Sequence, residues 1–309
     1  MKAVRFHEYG DAGVLRYEDA ALPEPGPGEV RVRVAASTFN PVDDGLRGGW
    51  LRDAFPMSLP HVPGVEVSGT VDALGPDARG LDVGDAIVGF LPMTADGAAA
   101  EHVVAPIEAL VSAPVSIPLA DAAALPMVAL TAYQALFDDA GLRAGQRVLI
   151  NGAGGAVGGY AVQLARHAGA HVIGTASPRS VARVRAAGAD EVVDHTAAAV
   201  TTAEPVDVLV NLARIDAERL RELSELVRDG GVVVNSVPAV PTPSDEARGV
   251  RAVGVLVRSD AEQLSRLVAM VDRGELRVEV AERVPLADLH RVHARAAAGE
   301  PIARTVVLP

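Results

Sequence analysis

The rhythm of apolar and polar positions changes twice along the chain. Through roughly the first 120 residues, apolar runs are short and broken by links such as Pro23-Glu24-Pro25-Gly26-Pro27-Gly28. Strands are expected at residues 3–7, 30–35, 65–73, 86–90 and 100–105. Short strands with frequent turns predict a compact β-barrel or sandwich. Near Asp121 the pattern becomes Ala-rich and helical, over residues 122–125 and 130–138. From Arg147 onward strands and helices alternate. Strands are expected at 147–151, 171–175, 191–193, 207–211, 232–235 and 250–257, and helices from Gly159 through Ala165, at 178–187 and at 216–227. Gly188 and Gly230 fit as helix terminators. This alternation predicts a parallel sheet covered on both faces. The tail adds a helix at 261–273, a strand near 277–280, a helix near 286–297 and a strand at 305–308.

One turn in the alternating region carries chemistry. Arg147-Val148-Leu149-Ile150-Asn151 runs into Gly152-Ala153-Gly154-Gly155-Ala156-Val157-Gly158 and then into a helix. Gly152, Gly155 and Gly158 stand three residues apart. That spacing permits a tight turn, close approach of backbone N–H groups to a diphosphate, and close packing of helix on strand. The positive end of the helix dipole faces the anion. Gly152, Gly154, Gly155, Ala156 and Val157 are therefore the expected phosphate-binding residues. Glycine-rich turns also occur in plain βαβ units, so placement between strand and helix is what favours a dinucleotide.

Composition narrows the chemistry. The chain has 309 residues, 49% of them hydrophobic, enough for two ordinary domains. No run approaches a transmembrane helix and no basic-then-apolar leader precedes Val4, so a soluble, cytoplasmic protein is expected. A net charge of −12 argues against a general nucleic-acid or anionic-membrane surface. The absence of cysteine removes disulfides, thiol nucleophiles and cysteine-ligated zinc. Lys2 is the only lysine, which leaves no tyrosine–lysine pair and no Schiff-base chemistry.

Several ordered motifs resemble one family. Asn40-Pro41-Val42-Asp43, Pro63-Gly64-Val65-Glu66-Val67-Ser68-Gly69, Val83-Gly84-Asp85, Leu130-Thr131-Ala132-Tyr133 and Ala187-Gly188-Ala189-Asp190 stand in an order similar to the zinc-independent medium-chain dehydrogenases/reductases, the quinone oxidoreductase or enoyl-reductase-like group. The resemblance runs nearly end to end. It implies an α/β protein with a GroES-like β-rich catalytic domain, residues 1–120 and 258–309, around a doubly wound Rossmann domain at 121–257. The positions where zinc-dependent members carry ligands look like Asn40, Val65 and Met127, which cannot form a tetrahedral zinc site. His290 and His293, three apart on an expected helix, are read as surface or core-edge residues. The resemblance also places the apolar strand 250–257 at a sheet edge where two copies join, so a homodimer is expected.

The cofactor and reacting centre follow from the same positions. NAD-specific domains usually end the second strand with Asp or Glu to hold the ribose hydroxyls. Here the stretch is Thr175-Ala176-Ser177-Pro178-Arg179, with no carboxylate to repel a 2′-phosphate. Ser177 and Arg179 can hydrogen-bond that phosphate, which favours NADPH. They also read as a helix N-cap and a solvated first-turn arginine. Asn40 is the leading donor for charge developing on a carbonyl oxygen, or else a turn residue before Pro41. Thr131 contacts the nicotinamide end or packs a helix. Asn211 and Ser236 end strands at the carboxyl edge, where such sheets bind ligands, and Val255 and Val257 line the nicotinamide or a core strand. No acid is assigned as proton donor. The expected activity is NADPH-dependent reduction of a quinone or of the β-carbon of an α,β-unsaturated carbonyl. The alternative is an NADPH-binding redox-sensing or structural relative with little turnover.

Overall fold

A computed structural model describes residues 1–300 and 302–309. The chain forms two units: residues 1–127 together with 259–309, and residues 128–258. In the first, β1 (Lys2–Phe6) and β2 (Leu15–Asp19) pair antiparallel. β3 (Glu29–Thr38) follows, then α1 (Pro41–Arg47), β4 (Glu66–Leu74), β5 (Ala86–Phe90), β6 (His102–Pro106) and β7 (Leu110–Ser112). Strand β3 shows the cause of its own placement. Val30, Val32 and Val34 face inward while Arg31 and Arg33 face out, the period-2 alternation of a half-buried strand. Those valines pack with Val67, Val71, Ile87 and Val103. Helices α2 (Leu119–Ala122) and α3 (Pro126–Tyr133) then carry the chain into the second unit.

The second unit is a parallel sheet. Its strands are β8 (Arg147–Asn151), β9 (His171–Ala176), β10 (Glu191–Asp194), β11 (Val206–Asn211), β12 (Val227–Asn235) and β13 (Arg251–Gly254), in spatial order β10-β9-β8-β11-β12-β13. Between them lie α4 (Ala156–His167), α5 (Val181–Ala186) and α6 (Ala217–Ser224). Val148, Leu149 and Ile150, like Val208, Leu209 and Val210, are buried in succession, as both-face covering requires. The order reverses between β8 and β11, the topological switch point where doubly wound sheets take ligands. The chain then returns to the first unit through α7 (Ala261–Asp272), β14 (Glu282–Pro285), α8 (Leu289–Ala297) and β15 (Thr305–Leu308). Strand β15 pairs with β14 and with β3, joining the tail to the N-terminal sheet. Among the described residues no helix is long and apolar enough to cross a membrane.

Four local expectations are corrected. The edge strand β13 stops at Gly254, so Val255 and Val257 are not in a strand. The segment 277–280 is not a strand either: Val278 and Val280 pack on Ala36, Ala123, Ala124 and Val306, while Glu282 takes the pairing with Thr305. Helix α6 ends at Ser224 because β12 has begun by Val227, and Gly230, at φ +73°, lies within that strand. Helix α5 starts at Val181, with Ser180 as its N-cap. The Ser177 carbonyl accepts from both Ser180 N and Val181 N, so Pro178 and Arg179 form a turn and Ser177 is not the cap.

Candidate active site

Asn40 caps α1 with extended backbone (φ −128°, ψ 152°), and Pro41 supplies the preset φ of the first helical position. The Asp43 carboxylate reaches back to accept Asn40 N at 2.7 Å, a capping-box contact. Its other oxygen accepts Gly64 N at 3.1 Å. Burial pushes the Asp43 carboxyl up to about 7, against the pull of these two N–H bonds. Asp43 thus gains its proton near neutrality, far above the usual carboxylate range.

One step further in lies a buried charge pair that the sequence reading did not foresee. Glu66, at the start of β4, is 0% exposed, and Arg304, just before β15, is 7% exposed. Arg304 Nη2 donates to Glu66 Oε2, which also accepts from Thr38 Oγ1 and from Asn40 Nδ2 at 2.8 Å. Glu66 Oε1 accepts Met127 N at 2.7 Å. Arg304 donates in turn to Asn40 Oδ1 at 3.0 Å and to the carbonyls of Ala124 and Ala123 at 3.1 and 3.3 Å. Both charges are paired and bonded on several sides, the condition under which buried ions are tolerated. The signal was present as an acid inside the apolar run Val65-Glu66-Val67, since buried Glu requires a partner.

This network changes how Asn40 is read. Its Nδ2 donates to Glu66 and, at 3.3 Å, to Thr38 Oγ1, while its oxygen accepts from Arg304. The amide is held within the network and does not stand free. Asn40 and Met127 do come together, both at the Glu66 carboxylate, and Val65 is buried beside it. An amide, a valine and a thioether do not fit a zinc ion, and Glu66 is already saturated with donors. Among the described residues no group of three or more His, Cys, Asp or Glu side chains could hold a metal. Thr131 is buried on α3. His290 is exposed, whereas His293 is a core residue, its Nδ1 2.9 Å from Asp44 Oδ1 and its ring edge-on to Phe39.

In the second unit the glycine turn takes the form its spacing predicts. Gly152 has φ +87°, which excludes ordinary side chains, and Gly155 is the N-cap of α4. A Cβ on Gly158 would stand 2.2 Å from the Gly152 carbonyl oxygen, so helix and turn are packed as closely as backbone allows. No side chain caps α4. Gly155 and Ala156 are exposed, and Gly154 and Val157 are half-buried. A glycine-lined, uncapped helix N-terminus fits a diphosphate.

Around that turn, the remaining expected residues divide. Ser177 is half-buried and Arg179 is exposed on the turn after β9. Arg183, which sequence reasoning missed, donates from α5 to the Gly154 carbonyl. Ser236 is half-buried and bonds the Asn211 carbonyl through both N and Oγ, at 3.0 and 3.1 Å. Asn211 itself is 0% exposed, beneath the sheet edge and not on it. Val255 N donates to Asn235 O at 2.9 Å, and Val257 is half-buried. Beyond it, Gln134 clamps Arg258 through both backbone groups at 3.0 Å.

Comparison with known proteins fits this picture. Residues 26–115 match the alcohol dehydrogenase GroES-like domain, and residues 187–307 match the zinc-binding dehydrogenase domain. The chain is 30% identical over 331 residues to a chloroplast envelope quinone oxidoreductase homolog of Arabidopsis thaliana, covering 100% of this chain and 98% of that protein. It is 30% identical over 294 residues to a 2-methylene-furan-3-one reductase of Solanum lycopersicum, covering 92% and 72%. Among solved structures it is similar to an NAD-dependent alcohol dehydrogenase, with TM-score 0.90, 28% identity and full coverage of both chains.

Proposed function

Because the chain belongs to the quinone oxidoreductase-like group of the medium-chain dehydrogenase/reductase family, an oxidoreductase family that uses nicotinamide cofactors, we propose that it is a zinc-independent NADPH-dependent reductase of quinones or α,β-unsaturated carbonyls. The observation that carries the reading is the uncapped glycine turn of α4, with Ser177 and Arg179 and no carboxylate at the end of β9. When bound, the nicotinamide supplies hydride to the quinone or to the β-carbon of the enone, and solvent supplies the proton. Gly154, Ala156 and Val157 hold the diphosphate through backbone N–H groups, while Gly155, whose own N–H donates to the Gly152 carbonyl at 3.0 Å, gives the phosphate room to approach. Ser177 and Arg179 hold the 2′-phosphate, Thr131 faces the nicotinamide end, and Ser236, Val255 and Val257 line the same edge. Asn40 offers the acceptor oxygen the amide hydrogen now on Thr38 Oγ1, its longer bond at 3.3 Å. The reading also pairs two copies along β13, whose Arg251, Ala252 and Gly254 are exposed. Light scattering that finds only monomer at micromolar concentration removes that part.

NADPH oxidation against a panel of small enones and quinones tests the activity. Turnover on at least one acceptor, unchanged after dialysis against EDTA, is expected. Activity lost to the chelator and restored by zinc overturns the metal-free assignment. A second reading, a dinucleotide-binding protein with little turnover, is favoured by one observation: every polar atom of the Asn40 amide already has a partner. Tight NADPH binding with no turnover on any acceptor would select it.

A further inference from the structure

Four buried polar side chains stand in one row across the parallel sheet. Asn151, Asn211 and Asn235 are the last residues of β8, β11 and β12, and the register sets Asn151 beside Asn211 and Asn211 beside Asn235. On the other side Ile150 pairs with Gly174, which brings Thr175 of β9 next to Asn151. The row therefore crosses the switch point between β8 and β11. All four side chains are buried, Thr175 and Asn211 at 1% and 0% exposed. The strands beneath them are built of Val, Leu and Ile, so the row is a deliberate break in an apolar pattern.

The hydrogen bonds along the row all run one way. Gly152 N donates to Thr175 Oγ1 at 2.9 Å, and Thr175 Oγ1 donates to Asn151 Oδ1 at 2.9 Å. Asn151 Nδ2 donates to Asn211 Oδ1 at 2.7 Å, and Asn211 Nδ2 donates to Asn235 Oδ1 at 2.9 Å. Asn235 Nδ2 ends the chain on the carbonyls of Val240 and Val237, at 2.8 and 3.1 Å. Asn211 also holds Ala213 through its N–H and its carbonyl. Aligned donors polarise one another, so a one-way row is stiffer than separate pairs. An amide left unpartnered here would bear the full cost of burial, which makes the row all-or-none.

We propose that this row is a positioning device for the dinucleotide. Its two ends and its middle grip three loops at the carboxyl edge: the glycine turn at Gly152, the turn at Ala213 and the segment 237–240. Four strand ends that would move separately become one rigid edge, prepared before the cofactor arrives. None of the four side chains needs to touch the cofactor, and their burial keeps them from doing so. Asn211 then acts through its neighbours and not as a direct ligand. The inference rests on the reading that residues 128–258 bind a nicotinamide dinucleotide.

Exchanging the two halves of Thr175 separates positioning from packing. Thr175→Val keeps the shape and removes the hydroxyl, whereas Thr175→Ser keeps the hydroxyl and removes a methyl. With the full chain, Thr175→Val is expected to raise the Kd of NADPH and NADH alike, by roughly three- to tenfold, the worth of one hydrogen bond. Thr175→Ser is expected to bind both like wild type while melting at lower temperature. Amide exchange in the cofactor-free protein gives an independent readout. Asn211→Ala should speed exchange at the glycine turn, which Asn211 reaches through Asn151, and at Val237 and Val240. Exchange altered only around residues 211–213, or binding that follows the methyl and not the hydroxyl, overturns the proposal. A wild type that binds neither nucleotide defeats the dinucleotide reading, and the positioning proposal with it. Rapid exchange at the glycine turn in Asn211→Ala would then show only that the row is rigid.

Discussion

Replacing Arg304 by methionine is expected to destabilise the protein by about 3–5 kcal/mol, the usual cost of stripping one partner from a buried ion pair. The loss does not come from missing attraction alone. Glu66 is 0% exposed and would be left with only neutral donors, from Thr38, Asn40 and the Met127 amide. The guanidinium also donates to the carbonyls of Ala123 and Ala124, and the variant loses both bonds. Taking the charge away from both sides should recover part of this. The pair Glu66→Leu with Arg304→Met removes the orphaned carboxylate, so its cost should fall well short of the sum of the two single changes. Recovery will be incomplete, because Thr38 Oγ1, Asn40 Nδ2 and Met127 N each lose the bond they make to Glu66. Chemical unfolding of the two single variants and the double variant reads all three numbers. An Arg304→Met protein as stable as wild type would mean that the network carries no stability.

The contrast between what could and could not be read in advance has a physical cause. Strand β8, the glycine turn and α4 were legible because one short stretch holds the strand run, the φ-permissive Gly152 and the helix. Strands β5 and β15 were legible for the same reason, as apolar runs bounded by turns. The parallel sheet followed from alternation, since each crossover helix covers the strand pair it joins. The Glu66–Arg304 pair spans 238 residues of sequence, and nothing local to either residue names the other. The Asn row depends on the register between parallel strands, which the pattern within any one strand does not contain. The start of α5 was misjudged because Ser177-Pro178 suits an N-cap followed by proline at the first helical position. In the structure, the Ser180 hydroxyl accepts Ser177 N at 3.1 Å and sets a turn there instead. Local chemistry was equal between the two, and the bond within the turn decided it.

That turn also carries the functional forecast with the largest effect. Arg179→Ala is expected to weaken NADPH binding by about 1.5–3 kcal/mol, the range for hydrogen bonds to charged groups. Arg179 is exposed on the Ser177–Ser180 turn at the end of β9, beside the loop where the adenosine ribose sits in doubly wound sheets. NADH lacks the 2′-phosphate and should bind almost as before, so the preference ratio should drop roughly tenfold or more. Arg183 provides an internal contrast. Its guanidinium is tied to the Gly154 carbonyl, so Arg183→Ala should disturb the glycine turn and weaken both nucleotides together. The phosphate contact is open to solvent, so added salt should reduce NADPH affinity more in wild type than in Arg179→Ala. Equal losses for both nucleotides in Arg179→Ala would mean that the turn itself had moved. No loss for either would leave Arg179 pointing into solvent with no part in binding. A wild type that prefers NADH would remove the NADPH assignment altogether, because a turn without a carboxylate would then have selected the cofactor without the phosphate.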